Sequence, residues 1–164
     1  MHYGTIKPYD IADGPGVRVA LYVSGCRIHC EGCHNPESQN FGFGKEFTSE
    51  TETEILSAMD HPYVSGFSLL GGEPFEEENQ AALVDFLRRI KERFPEKDIW
   101  AYTGYTLPDL KPGGRKHTEV TDRMLSYIDV LVDGPFILDQ KNISLAFRGS
   151  ENQRIIHEPG NAEK

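Results

Sequence analysis

Four apolar runs of strand length set the frame of this chain: Val17-Arg18-Val19-Ala20-Leu21-Tyr22-Val23, Phe67-Ser68-Leu69-Leu70, Ile99-Trp100-Ala101-Tyr102 and Ile128-Asp129-Val130-Leu131-Val132. Stretches with helical period separate them. Strands that alternate with helices must be joined by crossovers, so the pattern predicts an α/β fold around a mostly parallel sheet. The later three runs end on glycine-bearing turns, Gly71-Gly72-Glu73-Pro74, Thr103-Gly104-Tyr105 and Asp133-Gly134-Pro135. In α/β folds ligands sit at the carboxyl ends of the strands, so these turns are where a site is expected. With 164 residues the chain suits one core and is too short for a full eightfold β/α barrel of roughly 250 residues. Anything barrel-like here must be partial.

Thr48 to Glu54 offers overlapping capping boxes, Ser49 with Glu52 and Thr51 with Glu54, and predicts a helix running to about Met59 and stopped near Pro62. A longer helix is expected from about Glu76 to Phe94, where Leu83, Phe86, Leu87 and Ile90 form an apolar stripe. Its acidic first turn and its basic last turn, with Arg88, Arg89, Lys91 and Arg93, suit the helix dipole. Lys111 to Lys116 reads as a loop, and a short helix is expected around Glu119 to Tyr127. Arg148 to Ile156 has room for one more strand. Residues 1–157 are expected to form one domain, and 158–164 a flexible tail.

All three cysteines lie in Cys26-Arg27-Ile28-His29-Cys30-Glu31-Gly32-Cys33, directly after the first strand. Thiols gathered in this way suit a metal. Iron-sulfur clusters are usually held by four cysteines, so three would leave one iron of a four-iron cluster open for chemistry. Two other readings compete. Three thiolates with His29 or His34 would close a tetrahedral Cys3His zinc site, making the chain a zinc-stabilised binding module. A disulfide framework fits poorly, because the count is odd and the first ten residues lack a basic start and an apolar stretch. Gly71-Gly72-Glu73-Pro74 reads either as a plain turn or as a place where a ligand meets bare backbone, with Glu73 suited to an ammonium group.

The CxxxCxxC spacing resembles the signature of the radical S-adenosylmethionine (SAM) superfamily, and the same GGEP occurs in its activating enzymes. Asp13-Gly14-Pro15-Gly16-Val17-Arg18 and His34-Asn35-Pro36-Glu37 extend the likeness to the glycyl-radical-enzyme activases. Asp98 to Tyr105, Asp129 to Phe136 and Arg148 to Arg154 resemble those activases that serve anaerobic ribonucleoside-triphosphate reductase. The resemblance implies a single-domain partial (β/α) barrel of the radical SAM type. It implies that Cys26, Cys30 and Cys33 ligate one [4Fe-4S] cluster, that Gly32, Cys33 and His34 lie against SAM, and that Gly71, Gly72 and Glu73 meet its amino end. The implied activity is reductive cleavage of SAM to a 5′-deoxyadenosyl radical, which makes a glycyl radical on the large subunit of the reductase. No side chain is then needed as acid or base. A pyruvate formate-lyase activase remains the alternative within the family. Leu70 stands where many such activases carry serine.

The implied partners are the reductase and a flavodoxin-like electron donor, with a homodimer and a heterotetramer with the reductase left open. With 17 basic and 26 acidic residues the net charge is −9, which repels a phosphate backbone and argues against nucleic acid. No window approaches the ~20 apolar residues of a membrane span. Clustered free thiols without a secretory signal fit a reducing cytoplasm. Arg18 is expected in a structural role and Trp100 and Tyr102 in the core; the roles of Arg148 and Arg154 stay open.

Overall fold

The structure is a computed structural model that describes residues 1–162. Its centre is one open sheet of seven strands in the order β3-β1-β2-β4-β5-β6-β7. Four strands, β2 (Val17–Val23), β4 (Val64–Gly71), β5 (Asp98–Tyr102) and β6 (Val130–Asp133), run parallel. These are the four apolar runs of the sequence. Being central and flanked on both sides, they need apolar side chains on both faces, which is what made them legible.

The antiparallel margins are β1 (His2–Asp10), β3 (Lys45–Glu46) and β7 (Arg154–His157). The first two were not anticipated. Much of β1 is solvent-exposed, and β3 covers only His2 and Tyr3 of its outer edge. The strand therefore lacks a clean apolar alternation, and Lys7 and Pro8 lie on the stretch that β3 leaves uncovered, residues suited to a strand edge.

All helices of more than one turn pack on one face of the sheet. They are α1 (Ser49–Met59), α2 (Glu77–Arg93) and α4 (Thr121–Tyr127); the single turn α3 (Leu107–Leu110) follows β5. Val19, Leu21, Val23, Phe67, Leu69, Ile99, Ala101 and Leu131 point to that layer and form the main core with Ile55, Met59, Leu83, Phe86, Leu87, Ile90 and Met124. The expected helices are found, but α1 is capped one residue before the expected boxes. Thr48 and Thr51 exchange side-chain-to-backbone hydrogen bonds, because β3 delivers the chain to Thr48 already extended.

Among the described residues no long helix covers the other face. A smaller cluster of Trp100, Val130 and Val132, with Tyr102, Phe147 and Ile155 against it, lies there under the chain between β6 and β7. The loop after β1 folds over the same face. The Arg18 side chain is fully buried beneath it. Its guanidinium donates to Pro15 O, Ser68 Oγ and Phe67 O at 2.7–3.0 Å, pairs with Asp98 Oδ1 at 2.7 Å and lies over the Trp100 ring. Arg18 thus ties the loop to β4 and β5, the structural role expected.

The expected tail falls partly outside the described residues. Its described part, Glu158 to Ala162, makes a turn in which Asn161 N donates to Glu158 O and Gly160 O accepts from Lys111. Among the described residues no helix is long and apolar enough to cross a membrane.

Candidate functional site

At the carboxyl ends of the parallel strands, on the face without long helices, lies a cavity of about 480 Å³. That is within the range of small-molecule sites. Cys26, Cys30, Cys33 and His34 line it from the cysteine loop, Gly71, Gly72 and Glu73 from the end of β4, Tyr102 from the end of β5, and Phe136 and Arg148 from the chain after β6. The structure therefore brings the sequence-predicted residues to one place, with the exception that Gly32 is not on the cavity wall. Gly32 takes φ +72°, and a Cβ there would press on Leu138 at 3.1 Å. It fits the cysteine loop against the chain after β6.

The cysteine loop is held mainly by backbone bonds. Gly25 N donates to Ser38 O at 2.6 Å, Cys26 N to Gln39 O at 3.2 Å, and Glu73 N to Gly25 O at 2.8 Å. This explains the double glycine better than ligand approach does. A Cβ on Gly72 would meet Ser38 O at 2.6 Å and Gly25 O at 2.7 Å, and one on Gly71, at φ +132°, would collide with the Val23 backbone. The space that the missing side chains leave is filled by the protein's own main chain.

Glu73 is 1% exposed. Its carboxylate accepts from Phe75 N at 2.9 Å, Thr103 Oγ1 at 2.7 Å and Gly104 N at 2.7 Å. It clamps the end of β4 to the end of β5. Burial pushes its pKa up to about 7 against those three donors. Asn79 bridges the carbonyls of Ser24 and Glu73 at 3.0 and 2.9 Å. Neither Thr103 nor Asn79 stands out in the sequence, where one is a turn residue and the other one more polar position in a first helical turn.

The thiols are free and half-buried. Burial, ahead of the charges of Glu73 and Glu76, raises Cys26 to about 11, and burial also raises Cys30. His29, at φ +53°, has its Nδ1 2.7 Å from Gln39 Oε1, and the His34 ring packs on Phe136 with centroids 5.1 Å apart. Among the described residues no three Cys, His, Asp or Glu side chains converge on one ion-sized point. Two polar atoms of cavity residues, Tyr102 Oη and Arg148 Nε, are buried without a hydrogen-bond partner. Arg154, by contrast, is committed to Asp133 through two bonds of 3.0 and 2.6 Å.

Comparison with known proteins bears on this site. Residues 12–156 match a family described as a 4Fe-4S single cluster domain. A Vibrio cholerae protein is 40% identical over 159 residues, covering 96% of this chain and 97% of its own length. One from Enterobacteria phage T4 is 40% identical over 157 residues, 94% of this chain and 93% of its own. One from Escherichia coli K12 is 38% identical over 159 residues, 96% and 99% of the two chains. All three bear the name anaerobic ribonucleoside-triphosphate reductase-activating protein. The chain belongs to that family.

In this member of the activating-protein family the chemistry of the donor set fits the family's cluster. Three thiols share one cavity wall, and a multi-iron cluster takes one thiolate per iron, whereas zinc would need all its donors about 2.0–2.3 Å from one centre. The unpartnered Tyr102 and Arg148 atoms are polar groups that a ligand in the same cavity could satisfy.

Asp13, on the loop over the open face, also lines the cavity. Burial, followed by the neighbouring Asp10, raises its pKa to about 7, and Tyr22 Oη donates to it at 2.9 Å. The folded protein therefore keeps a proton between about pH 4 and 7 that the unfolded chain releases, and stability from this group falls as pH rises through that window. Asp13→Asn should flatten the fall: relative to the parent, its Tm should be higher at pH 8 than at pH 5. Parallel Tm curves for the two proteins between those pH values would contradict the assignment.

Proposed function

We propose that this protein is a radical SAM activating enzyme, with its open one-sided sheet serving as a partial barrel of that type. The observation that carries the reading is that Cys26, Cys30 and Cys33 share one cavity with the Gly71-Gly72-Glu73 turn. Cys26, Cys30 and Cys33 would hold a [4Fe-4S] cluster, and the sequence supplies no fourth cysteine, so the cluster would keep one position for SAM. When bound, the cluster would supply the one-electron reduction that cleaves SAM, and the chemistry delivered to the target would be removal of a hydrogen atom from a glycine Cα.

The chain's own residues orient and enclose. The Gly71 to Glu73 turn, with Cys33 and His34, borders the SAM end of the cavity, while Tyr102 and Arg148 offer polar groups across it. Phe136, Leu145 and Phe147, on the cavity wall, keep water from the radical. No residue must act as acid or base, so the protein's contribution is binding, orientation and exclusion of side reactions. The target glycine lies on the large subunit of anaerobic ribonucleoside-triphosphate reductase, the protein that the relatives are named for activating. A flavodoxin-like donor supplies the electron in a cytoplasmic setting.

The test is anaerobic reconstitution with iron and sulfide. The protein should gain a broad visible absorbance that dithionite bleaches, and with SAM it should release 5′-deoxyadenosine. Adding the reductase should give a glycyl radical signal by electron paramagnetic resonance. Stoichiometric zinc with no visible absorbance would overturn the proposal. A radical on pyruvate formate-lyase, with none on the reductase, would reassign the partner.

A further inference from the structure

Glu76 precedes α2 at its N-cap position, yet its side chain makes no capping bond to its own helix. A capping side chain there would stabilise α2. Instead the carboxylate, in a residue that is 0% exposed, turns toward the cysteine loop. Oε2 accepts from the Arg27 backbone N–H at 2.6 Å, and that N–H lies inside the loop between Cys26 and Cys30. The Arg27 side chain reaches Oε1 at 3.3 Å, Tyr105 Oη lies 3.0 and 3.2 Å from the two oxygens, and Lys116 Nζ pairs with Oε1 at 2.9 Å.

The two cations differ. Arg27 is half-exposed and makes its shorter contact with the surface residue Glu78, at 2.6 Å. The Lys116 side chain is only 14% exposed and lies over the Tyr105 ring. Buried Glu76 and largely covered Lys116 therefore form a pair that abuts the cysteine loop through one backbone N–H. A buried carboxylate costs several kcal/mol of desolvation, which well-packed apolar residues would avoid. Fold stability alone does not call for a charge at this point; the grip on the loop makes use of it.

We propose that Glu76 is a positioning residue for the iron-sulfur centre: its carboxylate fixes the turn between Cys26 and Cys30, and its buried charge, opposed by Lys116, sets the reduction potential. This rests on the cluster reading above. A negative charge held near the cluster disfavours the added electron, and a largely covered cation such as Lys116 favours it. Removing either changes the potential with opposite sign, which a purely structural role does not do.

The experiment uses the full chain, reconstituted anaerobically, with iron content, resistance to a chelator and midpoint potential as readouts. Glu76→Gln keeps one acceptor for the Arg27 N–H, so it should load iron as the parent does. Its potential should rise by about 59 mV, a tenfold change in a one-electron equilibrium. Lys116→Gln should load and shift the potential downward. Glu76→Ala leaves the loop N–H without its partner and should lose iron to chelator about 10-fold faster. Arg27→Ala, which keeps the backbone N–H, should retain iron. Unchanged potentials, or shifts of the same sign in the Gln pair, would overturn the proposal, as would Glu76→Ala protein that holds iron like the parent. If Glu76→Ala fails to fold, the Gln pair still decides. A parent protein that takes up no iron would instead defeat the cluster reading itself.

Discussion

Cys33→Ala protein is expected to emerge from anaerobic reconstitution with almost no cluster and with SAM cleavage at background. The chain has three cysteines and no spare, and the two histidines of the loop region are engaged elsewhere, His29 with Gln39 and His34 with Phe136. On the proposed ligation, losing one of three anchors should exceed the roughly 100-fold that outer-shell changes around metal sites cost. The fold should barely notice. The thiol is part-exposed on a loop, and surface changes away from special features stay within about 0.5 kcal/mol. The decisive pair of measurements is iron per chain and the denaturation midpoint of the iron-free protein. Parent-like iron content in Cys33→Ala would remove Cys33 from the ligand set; a collapsed midpoint would mean that the thiol is a core group.

Arg18→Leu should show the reverse, a loss of stability with the cysteine loop chemically intact. The guanidinium serves one oxygen on the loop after β1 and two on β4, pairs with Asp98 on β5 and is fully buried. Removing it takes the charged donor from buried acceptors of the loop and β4, at about 1–3 kcal/mol each, while Asp98, its side chain 39% exposed, is partly returned to water. For a chain of this size that lowers the Tm by roughly 10 °C. Arg18→Lys should recover little, because one ammonium cannot reproduce a planar fork that meets several acceptors at once. Urea titration of the iron-free protein gives the number; a loss under 1 kcal/mol would show that the loop after β1 does not depend on this side chain.

The central strands were legible because parallel strands buried on both faces carry a near-continuous apolar signal. β1 and β3 were not, since an exposed edge strand follows its neighbour's hydrogen-bonding needs and shows no pattern of its own. At the site, residue types announced the cysteines and the Gly-Gly turn, but the reason for the glycines did not follow. Gly71 and Gly72 are bare because Val23, Gly25 and Ser38 pass against them, a fact of tertiary packing. Glu76 was hidden in another way. In sequence it is one of three neighbouring acids at a helix start, all equally explained by the helix dipole, and only the fold shows that Glu76 faces inward while Glu78 pairs at the surface.

The one-sided placement of the helices divides the molecule by how freely its residues can vary. Between sheet and helices, each side chain is wedged among others, and a change of one methylene is felt. On the opposite face, the chain from Phe136 to Gln153 lines the cavity with Phe136, Leu145, Phe147, Arg148, Gly149 and Gln153 and leaves Ile143 91% exposed. Substitutions there can reshape what the cavity admits without disturbing the layer that keeps the chain folded. A lineage is therefore free to vary the cavity side of the sheet while the other side stays nearly constant.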